Sequence, residues 1–447
     1  MTLQFAAAAA AAVVLTGCAS LSPDGGFDRV AALTRERTGT APTWQRTPAR
    51  SDAAKARVAE LLKPPLAVDA AVEVALLNHP GLQAGFAELG IADAERVRAG
   101  RLRNPSLRFG RLSGGGSTEI DRGVMFDVLG LLTLPAVSRL EQDRFDTVQL
   151  QAALEAVGVA AEARNAWFDA VAAQQLLAYQ GQVMEAAEAA DELARRMLAA
   201  GNFNKLDRMR EQSFLADATA QRARARHQSA AARERLVRAL GLAGDALAFT
   251  LPERLPDLPP APVDVKDAEQ TAMDQRLDVL IARRHADSTA RSLGLTKATR
   301  FINVLDLGYQ NQSSSGEARR NGYEVALELP LFDFGSTGVA RAEATYLQAV
   351  NRTAQVALTA RSEVREAWSG YRTAYDLARH YRDEVVPLRQ RISDENLLRY
   401  NGMLGSVFEL LADAREQVQG VAGAVESLRD YWTADTRLQT ALTGASR

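Results

Sequence analysis

The stretch RMLAAGNFNKLD, from Arg196 to Asp207, interrupts a long helical pattern at a glycine and two asparagines, after which the pattern resumes. The stretch LRYNGMLGSVF, from Leu398 to Phe408, contains a similar interruption in the second half of the chain. A glycine can end a helix by adopting a positive φ angle, and a short turn then permits an antiparallel helix to return. The two stretches are therefore predicted to be the tips of two helical hairpins.

The two predicted tips belong to an internal repeat. EARNAW, which ends at Trp167, parallels EVREAW, which ends at Trp368, at the same offset that separates the two tip glycines. We expect both tryptophans to serve packing rather than function. Two further pairs of similar segments lie upstream: NPSLRFG at 104–110 with INVLDLG at 302–308, and LTLP at 132–135 with LELP at 327–330. Repeats of this length indicate a duplicated domain rather than short solenoid units.

Each half of the repeat shows the same order of predicted elements. A helix of about thirty residues begins near Asp69 and again near Val265. Two short strands around a glycine- and serine-rich turn follow, and then a very long helix runs to the tip and a second one returns. The first long helix is predicted from about Ala136 to Ala200, which corresponds to a length on the order of 100 Å. Its many alanines permit close approach of neighbouring helices over a great length, as in extended coiled coils.

The predicted strands alternate between apolar and polar residues. In the second half, Tyr323, Val325 and Leu327 share one face. In the first half the apolar face is predicted to hold Leu107, Phe109, Val124, Phe126 and Val128. Runs of about ten alternating residues fit tilted strands that cross a bilayer, but an amphipathic sheet on a soluble core gives the same pattern. Four strands cannot close a barrel, and open edges are not tolerated in lipid. Either the sheet is soluble, or several chains contribute strands to one barrel; a lipid anchor and the hairpins favour the second.

The amino terminus is predicted to be a signal peptide, residues 1–17. Its apolar run, FAAAAAAAVVLT, is too short to span a bilayer and ends at small residues, although no Lys or Arg precedes it. LTGC, which ends at Cys18, resembles the bacterial lipobox. That resemblance implies that the Cys18 thiol receives a diacylglyceryl group, with palmitate as an acyl chain, and that Cys18 becomes the first mature residue. The alternative is an alanine-rich helix with a buried cysteine.

Two proline clusters divide the rest of the chain. Residues 18–65 are predicted to form a lipidated, extended strap with one short helix at about 51–62. Residues 66–250 are predicted to form the first structural repeat. A proline-rich linker at 251–264 precedes the second repeat at 265–447, which ends in a helix.

Composition excludes several classes of function. The 53 basic and 55 acidic residues nearly cancel, so no basic surface indicates nucleic acid. The four histidines share no metal-ligand spacing, and one cysteine cannot form a thiolate cluster. After the amino terminus, no apolar stretch reaches the about 18 residues of a transmembrane helix. No catalytic constellation stands out. We therefore expect no enzyme activity, no metal and no cofactor apart from the lipid on Cys18.

Three segments carry a resemblance to a known family. LLKPPLAVDAAVEVALLNHPGLQAG at 61–85, LELPLFDFG at 327–335 and RYNGMLGSVFELLAD at 399–413 resemble segments of the TolC-like outer-membrane factors of tripartite efflux and type I secretion systems. The resemblance covers about residues 60–445. It implies a mainly α fold with a small β part. Duplicated antiparallel helical hairpins would form an α-barrel, and two β-hairpins would add four strands to a trimeric, twelve-stranded transmembrane β-barrel.

The same resemblance implies a function. Such proteins are homotrimeric, passive conduits from the periplasm to the exterior. Helical tips close them until a periplasmic adaptor protein and an inner-membrane pump dock. The chain would be lipid-anchored in the outer membrane with its helices in the periplasm; drugs, metal ions, solvents and polypeptides are all open as cargo. The alternative is a structural coiled-coil lipoprotein without a pore, which leaves the two alternating hairpins unexplained.

The candidate gate residues follow the second tip. Family members often carry aspartates at the positions of Phe408 and Leu411, so this chain departs from the family pattern. Glu409 and Asp413 lie nearby. Either Phe408 forms an apolar gate, or the two acids act from shifted positions. The ordinary alternatives are a solvated helix face for the acids and interhelical packing for Phe408.

In the first half, Asp207 occupies the position that corresponds to Phe408. It is a further gate candidate. The basic residues beside it, Lys205, Arg208 and Arg210, could brace the closed tip by salt links to Glu409 or Asp413 of a neighbouring hairpin. We expect Gly201 and Gly402 to end their helices with positive φ angles. The resemblance assigns adaptor docking to five tip residues: Gly201, Asn202, Gly402, Met403 and Gly405.

Overall fold

The computed structural model describes residues 20–402, 404 and 407–444 of the chain. The predicted signal peptide, Cys18, Met403 and Gly405 lie outside these residues. By the density of contacts, the chain divides into two compact units. Unit 1 comprises the described residues of Met1–Val30, Gly85–Ala152 and Asp278–Leu358, and unit 2 comprises those of Ala31–Ala84, Ala153–Leu277 and Thr359–Arg447.

The amino-terminal region contains more helix than the sequence predicts. Helix α1 spans Phe27–Thr38, and helix α2 spans Pro48–Leu61. The second matches the short helix expected at about 51–62, whereas α1 was not predicted. Helix α2 begins at Thr47, whose side-chain oxygen accepts a hydrogen bond from the Arg50 backbone N–H. This contact and the proline at the first helical position are ordinary start signals of a helix.

The helix predicted from near Asp69 is two helices. Helix α3 spans Val68–Asn78 and helix α4 spans Pro80–Ala99. His79 separates them with φ −65° and ψ 118°. A residue that precedes proline avoids the helical region because the proline ring crowds its backbone. The prediction of one continuous helix is therefore wrong here, and Pro80 supplies the reason.

The helix predicted from near Val265 is divided in the same way. Helix α7 spans Ala268–Gln275 and helix α8 spans Leu277–Thr299, with Arg276 between them at φ −64° and ψ 127°. No proline stands here. The Arg276 side chain is 1 % exposed, and its guanidinium donates to the Ala441 carbonyl at 3.1 Å and to Glu363 at 2.7 Å. The break in the first repeat is therefore explained by a proline, whereas the break in the second repeat coincides with a buried arginine.

The two predicted β-hairpins form one antiparallel sheet in the order β1-β2-β3-β4. The strands are β1 Ser106–Gly114, β2 Ser117–Asp127, β3 Val304–Ser314 and β4 Arg320–Glu328. Strands β2 and β3 join the two repeats, with Val124 opposite Tyr309. The predicted combination of helical hairpins with four strands is confirmed.

The first long helix, α5, spans Val128–Ala199 and follows β2 without a loop. It begins earlier than predicted because the Asp127 carboxylate accepts a hydrogen bond from the Gly130 N–H at 2.6 Å, which caps the helix. Val128 is therefore helical, and its assignment to a strand is wrong. The similar segments LTLP and LELP also differ in structure. The first lies inside α5, and the second ends β4 and enters the following loop.

The remaining helices complete the hairpins. Helix α6 spans Lys205–Leu240 and helix α9 spans Ser336–His380. A π-helical turn at Tyr381–Val385 follows α9 and leads into helix α10, Val386–Asn401. Pro387 lacks the N–H that a regular helix needs, and its ring crowds the preceding turn, which accounts for the wider turn. Helix α11 spans Val407–Thr443.

Aromatic residues dominate one core of unit 2. The Trp167 indole N–H donates to the Leu66 carbonyl at 2.7 Å, and the Trp167 side chain is buried. Trp368 stacks on Tyr371 at the edge of a cluster that includes Tyr431. Burial raises the pKa of the Tyr431 hydroxyl, with Tyr371 hydrogen bonding as a second cause. The prediction that both tryptophans pack against neighbouring elements is confirmed.

Candidate functional site

The first helical tip is a Schellman turn. Gly201 has φ +77°, and its N–H donates to the Leu198 carbonyl at 3.1 Å. The Asn202 N–H donates to the Met197 carbonyl at 2.9 Å. These two bonds satisfy carbonyls that the end of α5 would otherwise leave without partners. The predicted positive φ angle at Gly201 is confirmed, and its role in adaptor docking stays a prediction.

Asp207 is held within its own hairpin. It is buried near the start of α6, where the Asn204 side chain accepts a hydrogen bond from the Asp207 N–H at 2.9 Å. The Asn204 amide also contacts the Asp207 carboxylate, and the Arg210 guanidinium lies 3.1 Å from the same carboxylate. Arg208 forms an ion pair with Asp191 of α5, which ties the two helices of the hairpin together. Bracing of a neighbouring hairpin by Lys205, Arg208 and Arg210 stays a prediction.

The second tip differs from the first. Gly402 has φ −82° and ψ 4°, so the predicted positive φ angle is wrong. The Gly402 N–H donates to the Leu398 carbonyl at 2.9 Å, which continues the helical bonding pattern. The Leu404 N–H then donates to the Arg399 carbonyl at 2.8 Å. Because the last turn of α10 closes through these bonds, no left-handed conformation is needed at Gly402.

The three gate candidates of α11 have different environments. Glu409 is exposed, whereas Asp413 is 7 % exposed and its Oδ2 atom has no hydrogen-bond partner among the described residues. A solvated face is therefore the wrong interpretation for Asp413. The backbone of Phe408 lies in the first turn of α11, and its side chain is outside the described part of the structure. A role of these residues in gating stays a prediction.

The sequence analysis did not single out Glu211, which is 2 % exposed on α6. Its position four residues after Asp207 places the two acids on the same face of the helix, and this spacing was the available signal. Further from the tip, Val183, Ala187 and Ala218 form a small apolar cluster against which Val418 of α11 packs. The cluster joins the two hairpins within unit 2.

One face of the four-stranded sheet, here called the apolar face, exposes large apolar side chains. Tyr323 is 86 % exposed, Leu107 is 83 % exposed and Val325 is 64 % exposed. Leu107, Val124, Tyr309 and Tyr323 form one row across all four strands. Among the described residues, no further strand pairs with the outer edge of β1 or β4. A soluble core would bury such a face, and nothing in the described part of the chain covers it.

The opposite face, here called the polar face, carries charged and amide side chains. The Arg108 guanidinium on β1 lies 3.2 Å from the Glu324 carboxylate on β4, and Gln310 also bonds to Glu324. Gly123 and Gly308 lie between these residues, where the absence of side chains leaves room for the contact. A Cβ atom at Gly308 would lie 2.2 Å from the Met125 sulfur. The two faces of the sheet therefore differ sharply in polarity, as the alternation predicts.

The described helices were also considered as membrane spans and as sources of metal ligands. None of those in the described part of the chain is long and apolar enough to cross a membrane. Within residues 20–402, 404 and 407–444, no group of three or more His, Cys, Asp or Glu side chains is placed to hold a metal ion.

Comparison with known proteins finds similarity only among solved structures, since no family model and no curated protein matches significantly. The outer membrane channel CmeC of Campylobacter jejuni is 13 % identical with a TM-score of 0.73, over 84 % of this chain and 85 % of CmeC. The open-state outer membrane channel MtrE of Neisseria gonorrhoeae is 15 % identical with a TM-score of 0.71, over 84 % of this chain and 88 % of MtrE.

A membrane protein of Pseudomonas aeruginosa is 20 % identical with a TM-score of 0.72, over 85 % of this chain and 90 % of that protein. At such identities the likeness concerns architecture. The chain, with its duplicated helical hairpins and its four-stranded antiparallel sheet, has the fold of the outer membrane channels.

Proposed function

We propose that this chain is the outer-membrane channel of a tripartite efflux or type I secretion system, a passive homotrimeric conduit without a catalytic step. The observation that carries the proposal is the exposed apolar face of the sheet together with the two edges of β1 and β4. Exposed apolar side chains are unfavourable in water. A barrel in lipid covers these side chains with hydrocarbon, and its closure pairs the backbone groups at the two strand edges. Similarity in fold to outer membrane channels supports the same function.

Four strands per chain require further subunits to close a barrel, and the resemblance to outer-membrane factors implies three subunits. Four strands enclose no space, and backbone N–H and C=O groups at an open edge are costly in hydrocarbon. If β1 of one subunit pairs with β4 of the next, three subunits close a barrel of twelve strands. A barrel of this size holds water inside. The polar face, with Arg108, Gln310 and Glu324, then lines the conduit.

The helical tips are the proposed periplasmic end. An adaptor protein would dock at the tips, and an inner-membrane pump would supply the energy. Asp207, Phe408, Glu409 and Asp413 are the proposed gate residues. Threefold symmetry places each inward side chain in a ring, and charged or apolar rings can gate a narrow pore.

The decisive experiment compares two adjacent substitutions in β4. Val325 lies on the apolar face and Ala326 on the polar face. Val325→Asp places a charge in lipid in every subunit and should abolish trimers, because charged side chains on the lipid face destabilise a transmembrane barrel, aspartate by somewhat less than the about 2–4 kcal/mol that lysine or arginine costs at the midplane. Ala326→Asp adds the same charge to water and should leave trimers intact. Size-exclusion chromatography with light scattering gives the subunit number, and planar bilayers give the conductance.

If the wild-type protein were a monomer without conductance, the proposal would be refuted. That result would favour the alternative, a structural coiled-coil lipoprotein without a pore. An equal effect of the two substitutions would refute the assignment of the two faces. The first outcome is measured on the wild type and the second on the two variants, so the two outcomes can be distinguished.

The location in the outer membrane and the lipid on Cys18 are parts of the proposal. Mass spectrometry of the mature amino terminus would show the diacylglyceryl group and the acyl chain. In the Cys18→Ser variant, the masses of the diacylglyceryl group and of the acyl chain should both be absent. The trimer should still form, because the lipid tethers the protein and the sheet spans the bilayer. An unmodified Cys18 in membrane-extracted wild-type protein would contradict the lipid assignment.

A further inference from the structure

A cavity of about 830 Å³ lies in unit 1 where the end of α4, the starts of β1 and β3 and the end of β2 meet the start of α5. Its size falls within the range of small-molecule binding sites. The function proposed above assigns it no role. Its lining combines charged groups with an apolar surface.

Three arginines at the end of α4 and in the connection to β1 line the cavity: Arg98, Arg101 and Arg103. Arg98 is exposed and forms no ion pair with a described residue. Arg103 lies 3.4 Å from the Asp127 carboxylate and remains largely exposed. Guanidinium groups bind carboxylate, sulfonate and phosphate through paired hydrogen bonds. This part of the cavity therefore favours an anionic group.

Two carboxylates line the cavity as well, Asp127 and Asp306. Asp127 is already occupied, because its side chain caps α5 through Gly130 and contacts Arg103. Asp306 on β3 is partly buried. Three arginines against two aspartates leave the cavity lining with a positive excess, and Arg98 has no carboxylate partner among the described residues.

The α5 side of the cavity is apolar. Leu129, Leu134 and Val137 line it. Apolar groups on one side and guanidinium groups on another are complementary to an amphiphile with a single anionic head. Burial of such a ligand's apolar part contributes about 25 cal/mol for each Å² removed from water.

The strand residues place the cavity on the polar face of the sheet. Ser106, Met125 and Asp306 line it, and all three lie on the side of the sheet that carries Arg108 and Glu324. In the proposed trimer this side faces the water-filled interior. A ligand therefore reaches the cavity from water.

We propose that this cavity is a binding site for water-soluble amphiphilic anions, aromatic sulfonates and carboxylates, in the wall of the conduit. The proposal rests on the function proposed above and adds a class of cargo to it. Arg98 and Arg103 hold the anionic head, and Leu129 and Leu134 contact the apolar body. Binding is reversible and involves no covalent step.

The test is calorimetric titration of naphthalene-2-sulfonate into the full-length protein in phosphatidylcholine nanodiscs. The wild type should bind this anion and should bind 1-naphthylmethylammonium at least about tenfold more weakly. Arg98→Gln should weaken sulfonate binding about tenfold, and Arg98→Gln with Arg103→Gln should weaken it further. The matched control is Arg111→Gln, because Arg111 is an exposed arginine of β1 on the opposite face. Binding by this control should be unchanged.

Equal binding by the wild type and the double variant would overturn the proposal, and so would equal binding of the anion and the cation. Nanodiscs that contain phosphatidylglycerol distinguish a lipid head group from a soluble ligand. Competition by this lipid would show that the occupant is a membrane lipid and would overturn the proposal, whereas unchanged binding supports it. Planar-bilayer conductance of the same preparations tests the channel function separately, so that conductance without sulfonate binding refutes only the cavity proposal.

Discussion

Arg108 on β1 and Glu324 on β4 form an ion pair across the polar face of the sheet, with Nη1 and Oε2 3.2 Å apart. The two strands are not neighbours, because β2 and β3 lie between them. The contact requires a sheet that curves toward its polar face, and Gly123 and Gly308 provide the space beneath it. A single chain thus already has the sense of curvature that a barrel with this face inside would need.

The Arg108–Glu324 pair should influence ion selectivity more than stability. Arg108 is largely exposed, so the pair contributes about 0.2–1 kcal/mol. The polar face carries more acids than bases: Glu119, Asp121, Asp127, Asp306, Glu324 and Glu328 against Arg108 and Arg320. We expect Arg108→Gln to increase cation selectivity and Glu324→Gln to reduce it. Reversal potentials in a salt gradient measure both.

The control for this prediction is Arg122→Gln, because Arg122 lies on the apolar face and bonds to Asn311. Its reversal potential should match that of the wild type. A shift of the same sign for Arg108→Gln and Glu324→Gln would contradict the assignment of the polar face to the conduit.

Arg276→Ala should destabilise the second repeat strongly. The substitution leaves Glu363 and the Ala441 carbonyl without their buried donor, and loss of one partner of a buried pair costs about 3–5 kcal/mol. Arg365→Ala is the matched control, since Arg365 pairs with Glu269 at 3.1 Å on the surface. It should cost less than about 1 kcal/mol. Thermal unfolding followed by circular dichroism measures the difference, and similar melting temperatures for the two variants would contradict it.

The two tip glycines should respond differently to alanine. Gly201→Ala places a side chain at φ +77°, which costs about 1–2 kcal/mol, whereas Gly402 has φ −82° and accepts alanine without this strain. A Cβ atom at Gly402 would meet nothing closer than the Leu398 carbonyl at 3.4 Å. Hydrogen exchange at each tip should therefore accelerate in the Gly201 variant alone. Acceleration in both would show that Gly402 also needs a left-handed conformation.

Asp435→Asn should stabilise the protein at neutral pH. Burial raises the pKa of the Asp435 carboxyl, although Arg164 opposes the shift. Between the unfolded and the folded pKa the folded chain binds more protons, so stability falls as pH rises through this interval and stays lower above it. Asparagine removes that loss. The gain in melting temperature should be present at about pH 7 and disappear as the pH falls below the ordinary pKa of aspartate.

Asp146→Asn provides a control of opposite sign. Burial raises the pKa of Asp146, but hydrogen bonds from Gln142 and Arg284 and the charge of Arg29 outweigh it and lower the pKa overall. Its stabilisation is present above the unfolded pKa and is lost as pH falls through the folded pKa. The variant should melt lower than wild type at neutral pH. Shifts of the same sign for the two variants would refute these pKa assignments.

Asp413→Ala should change the conductance of the proposed gate more than Glu409→Ala does. Asp413 is buried with one carboxylate oxygen lacking a hydrogen bond among the described residues, whereas Glu409 is exposed. A buried group of this kind destabilises its surroundings by about 1–3 kcal/mol, so its removal alters the packing of the helices near the tip. Single-channel recordings of these variants, with Phe408→Ala and Asp207→Ala, test the site. Unchanged conductance in all four would remove the gate from this location.

Local signals predicted the elements but not all of their ends. Gly201 between two polar helical runs predicted a hairpin tip, because helix termination by glycine depends only on neighbouring residues. The break at His79 could have been read from Pro80, which restricts the residue before it. The break at Arg276 could not, because it coincides with hydrogen bonds to Ala441 and Glu363, which are far away in the sequence.

In the candidate site, too, some features could be predicted from the local sequence and others depended on the tertiary structure. Asp207 and Asp413 were selected by their distances from the tips, and both proved to be buried. Glu211 was not selected, because burial of a carboxylate depends on the helices that pack around it. The arginines of the cavity, Arg98 and Arg103, gave no signal beyond charge at the end of a helix.

The sequence by itself determined the repeat, the helical hairpins and the two-faced strands, since each follows from periodicity over a few residues. Only the tertiary structure decided that β2 pairs with β3, that Gly402 keeps a negative φ angle and that Arg108 reaches Glu324. These features depend on contacts between segments far apart in the chain. The local pattern does not determine such contacts, because periodicity specifies which face of an element is apolar and not which segment covers that face.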